Sequence, residues 1–559
     1  MKKSIAIAVL ITAVLLLIVA CARQEAPAPA PAATPAAGQQ QPAAPVATPA
    51  PEAGVTVARE GLPIVPELGM ITLRGLVSQN VNVTDWNELP ALLYLEQLTN
   101  IQIEWDSVPD AGFAERRNLL FATGDLPDFV MRAMLSSEME TNLVAAGQII
   151  KLDDLIANYA PNLRALMESN PGLIRNMAFP DGHIYTLPQI NYTEGNLINK
   201  AWINHVWLDN LGLPMPTTMD ELFDTLVAFR DNDANGTGLN NEIPLSESST
   251  GRPMYHLNRL LGAFGFGGNH GVFRQFFDVD DNGQVRVIVM DPDYLAFLEF
   301  WHRLWAEDLM DREIFSQERP ALVAKITDNR VGFTLAGNNH LWKGANRDYF
   351  TQPPALIGPR GHSYWPNVAS NVQMTGTFAI TSVNPYPEAT MRWVDHLYSE
   401  EGTALVRFGI EGETWFFNDE GRRELKPHIS NCPDGLTQDQ AIGRWTFFGG
   451  GNVPQFITDA VDASAAQLPE IRAITELLRP NLVPYANIPR LVFTEQEAND
   501  ISIFGRDIET FIDENIVLFI TGEKPLSDFD NFIAELERIN IEGFRQILQD
   551  AFDRWMALG

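Results

Sequence analysis

Past residue 55 the chain alternates between short β-branched or apolar runs and longer stretches whose apolar positions recur every three to four residues. That alternation is the signature of an α/β architecture. Met70 to Val77 is predicted as a strand, Glu88 to Leu98 as a helix, Ile101 to Trp105 as a strand and Phe113 to Phe121 as a helix, a βαβα opening. A further short strand is expected at Asp128-Phe129-Val130, and Asp181-Gly182-His183-Ile184-Tyr185 reads as a tight turn feeding a strand. Phe277 to Met290 carries Asp281-Asn282-Gly283 between apolar runs and predicts a hairpin, while Phe504 to Trp555 is helical in period. Trp301 and Trp305, one helical turn apart beside Phe297 and Leu304, belong to a packing stripe, and Trp393 and Trp555 also sit in helical patterns. No repeat occurs at a solenoid or propeller spacing.

The N-terminal segment breaks this pattern. Met1, Lys2 and Lys3 precede an apolar run from Ile5 to Ala20 that is shorter than the roughly 20 residues a spanning helix needs, and the run closes on Ile18-Val19-Ala20-Cys21. A cleavable export signal over residues 1–20 is expected; an uncleaved anchor is disfavoured because no basic stop-transfer cluster follows. The closing residues resemble the bacterial lipobox, in which Cys21 is lipidated and becomes the mature N-terminus. Residues 21–54 are rich in Pro, Ala, Thr and Gln, with prolines at 27, 29, 31, 35, 42, 45, 49 and 51. Such a segment favours polyproline II, a semi-rigid spacer of about 3 Å per residue. The body is therefore expected outside the cytoplasm, either on the extracellular face of the membrane through lipid on Cys21 or in the periplasm.

After signal and tether about 500 residues remain, too many for one core and suited to two large lobes. Hydrophobic content of 45% and aromatic content of 10% fit a well-packed globular body. The net charge of -32 becomes -34 once Lys2 and Lys3 leave with the signal, which argues against nucleic acid as a partner. The acidic balance also tilts towards neutral ligands, although a basic cleft containing Arg252, Arg259 or Lys343 would reverse it. Cys432 is the one cysteine besides Cys21, so no intramolecular disulfide is expected if Cys21 carries lipid.

Several stretches resemble the extracellular solute-binding proteins of ABC importers, in the long oligosaccharide-binding group that includes alginate-binding and LplA-like lipoproteins. They are Leu119-Leu120-Phe121-Ala122-Thr123-Gly124-Asp125-Leu126-Pro127-Asp128, Asp181-Gly182-His183-Ile184-Tyr185-Thr186-Leu187-Pro188, and Trp207-Leu208-Asp209-Asn210-Leu211-Gly212-Leu213-Pro214 with Pro216-Thr217-Thr218. Further matches are Tyr398-Ser399-Glu400-Glu401-Gly402, Gly409-Ile410-Glu411-Gly412-Glu413-Thr414-Trp415 and the close around Phe519-Ile520-Thr521-Gly522. The resemblance implies a two-lobed periplasmic-binding-protein-like α/β fold of class II, with crossing strands between the lobes and a helical C-terminal region. It places crossings near Ile190 to Ile198, Val331 to Ala336 and Thr377 to Ser382. Lobe 1 is then expected over 55–195 plus about 330–382, and lobe 2 over about 196–329 plus 383–559. It further implies an oligosaccharide ligand, an ABC permease as partner, no catalysis and a monomeric state.

Asp231-Asn232-Asp233-Ala234-Asn235-Gly236-Thr237-Gly238-Leu239-Asn240-Asn241-Glu242 satisfies the calcium-loop pattern of alternating oxygen ligands, a central glycine and a closing glutamate. A second register starts at Asp233 and uses Asn235, Thr237, the Leu239 carbonyl, Asn241 and Glu242, and it is the register that resembles the solute-binding family. Both share Asp233, Asn235, Thr237 and Glu242. A structural calcium ion is expected, against the alternative of a solvated Asx-rich turn.

Sugar recognition needs flat apolar faces beside planar hydrogen-bonding groups. Trp342, Trp365 and Trp445 lie in Gly/Asn-rich loops, where ligand contacts concentrate, and the family-like segment adds Glu411 and Trp415. Tyr185, in the turn resembling the family, completes the ligand candidates. The chain contains no Gly-x-Ser-x-Gly elbow, no His-Glu-x-x-His and no phosphate loop. A pair of acids for glycoside hydrolysis stays open among Glu400, Glu401, Glu411 and Glu413, because their separation of roughly 5 to 9 Å belongs to the fold. A cell-surface glycoside hydrolase or lyase, or a sensor receptor without a permease, are thus the alternatives to an import receptor.

Overall fold

The computed structural model describes residues 55–558 except 194–198, 250–252, 255, 268–275, 281, 336–344, 366–371, 448–450, 463–468 and 483–490. The export signal, Cys21, the Pro-rich tether and Trp342 lie outside the described residues. In chain order the strands are β1 (Ile71–Gln79), β2 (Ile101–Pro109), β3 (Phe129–Met131), β4 (Leu187–Asn191), β5 (Trp202–Asn204), β6 (Ile243–Leu245) and β7 (Phe277–Val279). They continue with β8 (Val285–Val287), β9 (Val331–Thr334), β10 (Phe350–Thr351), β11 (Val372–Ile380), β12 (Trp415–Phe417), β13 (Arg423–Leu425) and β14 (Gln455–Ile457).

One sheet has the order β14-β4-β11-β3-β1-β2 and a second β10-β5-β9-β6, while β7-β8 and β12-β13 are separate hairpins. The expected βαβα opening is present: the helices Pro90–Thr99 and Asp110–Thr123 follow β1 and β2, which pair in parallel from Ile71 with Ile101 to Gln79 with Pro109. Pro90 opens its helix, where a missing N–H costs nothing, and Asn100 ends it at φ 59, its N–H bonding the Glu96 carbonyl. The hairpin expected within 277–290 is formed by β7 and β8. The C-terminal segment is helical, including Arg506–Thr521, Phe529–Arg538 and Ile541–Ala557. No helix among the described residues is long and apolar enough to cross a membrane.

Among the described residues two large cores and two smaller clusters make up the two-lobed body. In the first, Trp105 lies 5.0 Å from Trp86 and 5.4 Å from Phe129, which stacks on Phe378 at 5.2 Å. The second unites Trp207, Phe229, Trp301 and Phe333 with Ile508, Phe519, Phe532 and Phe544 of the C-terminal helices. Trp301 is fully buried and Trp305 packs on Phe315 at 5.7 Å, so the aromatic stripe is core as expected.

The chain first passes between sheets from Asn191 to Trp202, close to the expected crossing. The other two expected crossings are corrected. Val331–Thr334 is β9, an interior strand of the second sheet, and Thr377 to Ile380 belongs to β11, an interior strand of the first. Trp365 instead belongs to the second core and Val372 to the first, while Phe456 packs on the first core and Ile471 belongs to the second. Residues 331–335 and 349–365 therefore pack with the second core, whereas the helices Pro387–His396 and Glu400–Phe408 pack with the first, the reverse of the expected boundaries. An apolar run buried on both faces reads alike whether it is an interior strand or a crossing, so periodicity does not separate the two.

Candidate functional site

β1 is parallel to β2 and β3, β11 is antiparallel to β3 and β4, and β14 is parallel to β4. The carboxyl ends of five strands, at Gln79, Pro109, Met131, Asn191 and Ile457, consequently share one sheet edge, and β11 enters there at Val372. Every passage between the lobes starts or ends at that edge. In the second sheet β6 is parallel to β9 and β5 antiparallel to it, so Leu245 and Thr334 end beside Trp202, where the first passage arrives. The first passage joins these two edges, and the crevice beyond strand carboxyl ends is where open α/β sheets bind ligands.

Buried polar side chains gather along both edges. On the first lobe Ser78 donates to Asp110, whose carboxylate lies 3.7 Å from the buried guanidinium of Arg132. Gln189 accepts at Oε1 from the Asn452 N–H at 3.0 Å and from Gln455 Nε2 at 3.1 Å, and Asn191 accepts from the Thr193 N–H at 2.8 Å. On the second lobe Glu247 follows β6 and accepts from Thr334 Oγ1 at 3.1 Å and from the Ser248 N–H at 2.8 Å, with His256 Nε2 at 3.9 Å. Burial pushes the Glu247 carboxyl upward against the pull of Arg259. Arg259 Nη1 donates to the Lys200 carbonyl at 3.3 Å. Burial, reinforced by Arg259, pushes the Lys200 ammonium down to about 7. Burying charge is costly unless it is compensated, so this concentration marks the edge as built for polar contacts.

The sequence reading named Arg259 as a possible cleft cation and missed Arg132, Gln189, Lys200 and Glu247. A usable signal was present: Asn199-Lys200 follows the first passage, and Ser246-Glu247-Ser248 follows the strand Ile243–Leu245. Arg252 and Lys343 lie outside the described residues.

The aromatic candidates sit elsewhere. Trp365 is 2% exposed and its Nε1 donates to the Asn199 carbonyl at 2.8 Å, tying the first passage to the second. Tyr185 precedes the amino end of β4, the opposite sheet edge, where its hydroxyl donates to Asp181 at 2.8 Å; burial and this acceptor push it up to about 12. Trp445 packs on a small apolar cluster beside His428, ring centroids 6.0 Å apart. Glu411 and Trp415 line a cavity on the first lobe together with Glu400, Glu401 and Arg423, and the Trp415 Nε1 donates to the Gly409 carbonyl at 3.1 Å.

The calcium-type loop joins the helix Met219–Asp231 to β6. Asp231 is held by Arg230, which donates to its two oxygens at 2.7 and 3.1 Å. Within the loop Asp233 accepts from the Gly238 N–H with both oxygens at 3.0 Å, Asn235 Oδ1 accepts from the Thr237 N–H at 3.0 Å, and Glu242 Oε1 accepts from the Asn235 N–H at 3.4 Å. Gly236 and Gly238 adopt φ 71 and 69, which side chains rarely tolerate. These oxygens are common to both registers, and an all-oxygen set of two carboxylates, amides, a hydroxyl and a carbonyl is suited to calcium. The loop precedes the amino end of β6, whereas the buried polar residues around Glu247 lie at its carboxyl end.

The family model for bacterial extracellular solute-binding proteins matches residues 84–404. The chain belongs to that family. A member of known ligand class, the fructooligosaccharide ABC transporter substrate-binding protein FusA of Streptococcus pneumoniae serotype 4, is 29% identical over 497 residues, 86% of this chain and 89% of FusA. The structure of S. pneumoniae FusA in complex with kestose has a TM-score of 0.74 at 28% identity, covering 87% of this chain and 100% of that one. An EF-hand mutant of FusA has also been solved. The HMO-binding solute-binding protein of Bifidobacterium longum infantis has a TM-score of 0.75 at 21% identity, covering 87% of this chain and 99% of that one. Alginate-binding protein AlgQ2 without calcium ion gives 0.70 at 22%, covering 86% and 98%. These last two bear on the fold alone, which is that of class II binding proteins. Membership of an extracellular solute-binding family places the body outside the cytoplasm, extracellular or periplasmic.

Proposed function

We propose that this chain is the receptor of an ABC importer, which captures an oligosaccharide in the cleft between its lobes and passes it intact to a membrane permease. The observation that carries the reading is the gathering of buried hydrogen-bonding groups on the two sheet edges that the first passage joins, in a chain 29% identical to a fructooligosaccharide receptor over 86% of its length. Asp110, Arg132 and Gln189 from one lobe and Glu247 and Arg259 from the other supply planar donors and acceptors of the kind that pair with sugar hydroxyls, and Lys200 adds a tetrahedral nitrogen donor. Ligand bridging both edges would favour the closed arrangement, and the permease would read that state. Glu247 beside Arg259 offsets positive charge at the edge, which supports a neutral sugar over an acidic one.

Lipid on Cys21 and the Pro-rich segment would hold the body at the membrane, off its surface. Calcium would be held by Asp233, Asn235, Thr237, the Leu239 carbonyl, Asn241 and Glu242. When bound, the ion supplies a cross-link between the end of one helix and the start of β6.

The deciding experiment titrates the full chain, with calcium, against kestose, a galacturonan oligosaccharide and an alginate oligosaccharide, and analyses the recovered sugar. A neutral fructooligosaccharide bound and returned intact is expected. Cleavage products would make the protein an enzyme, and preference for the uronic acids would overturn the neutral-sugar assignment.

A further inference from the structure

A cavity of about 430 Å³ opens between the helix Pro90–Thr99 and the helix Glu400–Phe408, within the roughly 300 to 1,000 Å³ typical of small-molecule sites. It is distinct from the interlobe cleft. Its lining comes from the first lobe alone, and the helix Pro90–Thr99 runs back from the carboxyl end of β1 to the amino end of β2, so Tyr94 and Leu98 lie on the broad flank of the sheet.

The chemistry of the walls narrows the occupant by elimination. Arg423 has a side chain only 6% exposed, fixed by Glu400 at 2.7 Å and by the Ala460 carbonyl at 2.8 Å. Its guanidinium lies 5.1 Å from the ring centres of both Trp415 and Phe417. An anion would meet Glu400, Glu401 and Glu411 against one arginine already paired. Arg423 covers the buried Trp415 and one face of Phe417, and the 48% exposure of Phe417 leaves its other face open to the cavity. A metal ion is disfavoured because no group of three His, Cys, Asp or Glu side chains converges among the described residues. A neutral polyhydroxylated molecule suits these walls, which combine an acceptor with exposed ring faces. The Glu411 carboxylate makes no hydrogen bond or ion pair among the described residues and faces the cavity as an acceptor, while Tyr94 and Phe417, 37% and 48% exposed, offer flat faces for sugar C–H groups.

We propose that this flank cavity is a second, weaker saccharide site that binds a neutral sugar unit by stacking on Tyr94 and Phe417 and hydrogen bonding to Glu411. The site goes beyond the import reading, since it lies outside the cleft and would hold a glycan whether or not the lobes close.

Calorimetric titration of the full chain with kestose, carried into the millimolar range, tests it. Two binding events are expected for the wild type. The double variant Tyr94→Ala/Phe417→Ala, which changes exposed side chains, should weaken the second event at least tenfold and leave the first within twofold, and Glu411→Gln should weaken the same event. A second event unmoved by these substitutions overturns the proposal, as does the absence of any event. If kestose gives one event, its loss in the double variant supports the flank site while counting against kestose as cleft ligand, and its persistence rejects the flank site.

Discussion

The guanidinium carbon of Arg175 lies 3.8 Å from the ring centre of Trp555. Arg175 belongs to the helix Gly172–Met177, whose Leu173 and Met177 are in the first core, whereas Trp555 packs on the second, so the contact joins the lobes. The Trp555 Nε1 also donates to Asn176 Oδ1 at 2.9 Å, and Thr141 Oγ1 donates to the Phe493 carbonyl at 3.0 Å across the same pair of lobes. A cation–π contact contributes about 0.5 to 2 kcal/mol and a hydrogen bond about 1. Trp555→Ala is therefore expected to loosen the lobes, raising the radius of gyration of the ligand-free protein in small-angle scattering. An unchanged radius would show that the pair does not hold the lobes together.

The loop geometry separates the two calcium registers. Asp233→Asn and Glu242→Gln are expected to weaken calcium binding at least tenfold and to remove the rise in melting temperature that calcium gives. Asp231→Asn should change affinity less than threefold, because Arg230 already engages that carboxylate. Equal losses at Asp231 and Asp233 would restore the first register.

Lys200 makes stability depend on pH in an unusual direction. Its ammonium is pushed from 10.5 down to about 7 in the folded chain. Between those values the unfolded chain binds a proton that the native state does not, so this residue makes stability rise with pH across the window, by up to about 1.4 kcal/mol per unit. Urea unfolding at pH 7, 8 and 9 should show that slope, flattened in Lys200→Met. The same slope in both proteins would mean that Lys200 does not titrate there.

Gly332, inside β9, is a packing requirement. A Cβ at this position would lie 2.5 Å from Phe229 Cδ2 and 2.9 Å from Trp207 Cζ3. Overpacking of this kind costs about 1 to 3 kcal/mol. Gly332→Ala should lower the urea midpoint accordingly, and a midpoint equal to the wild type would show that the two rings can move aside.

Local chemistry is what the chain displays openly. The opening βαβα, the hairpin at β7 and β8, the helical C-terminal region and the oxygen-rich loop are each decided within a dozen residues or so, by period, turn residues and spacing, and each is read from the sequence. The family-like stretches add two lobes and a cleft to that reading. The order of passages between lobes is different, because β9 and β11 are interior strands and nothing in their residue pattern says which sheet encloses them. The same holds for the binding groups. Gln189, Lys200 and Glu247 are ordinary polar residues until strand direction brings their edges together, and Trp365 and Trp415 read as exposed loop aromatics until packing buries them. Periodicity fixes which face of an element is apolar; only the tertiary pairing of sheets decides which polar side chains are left at the edge where a ligand can reach them.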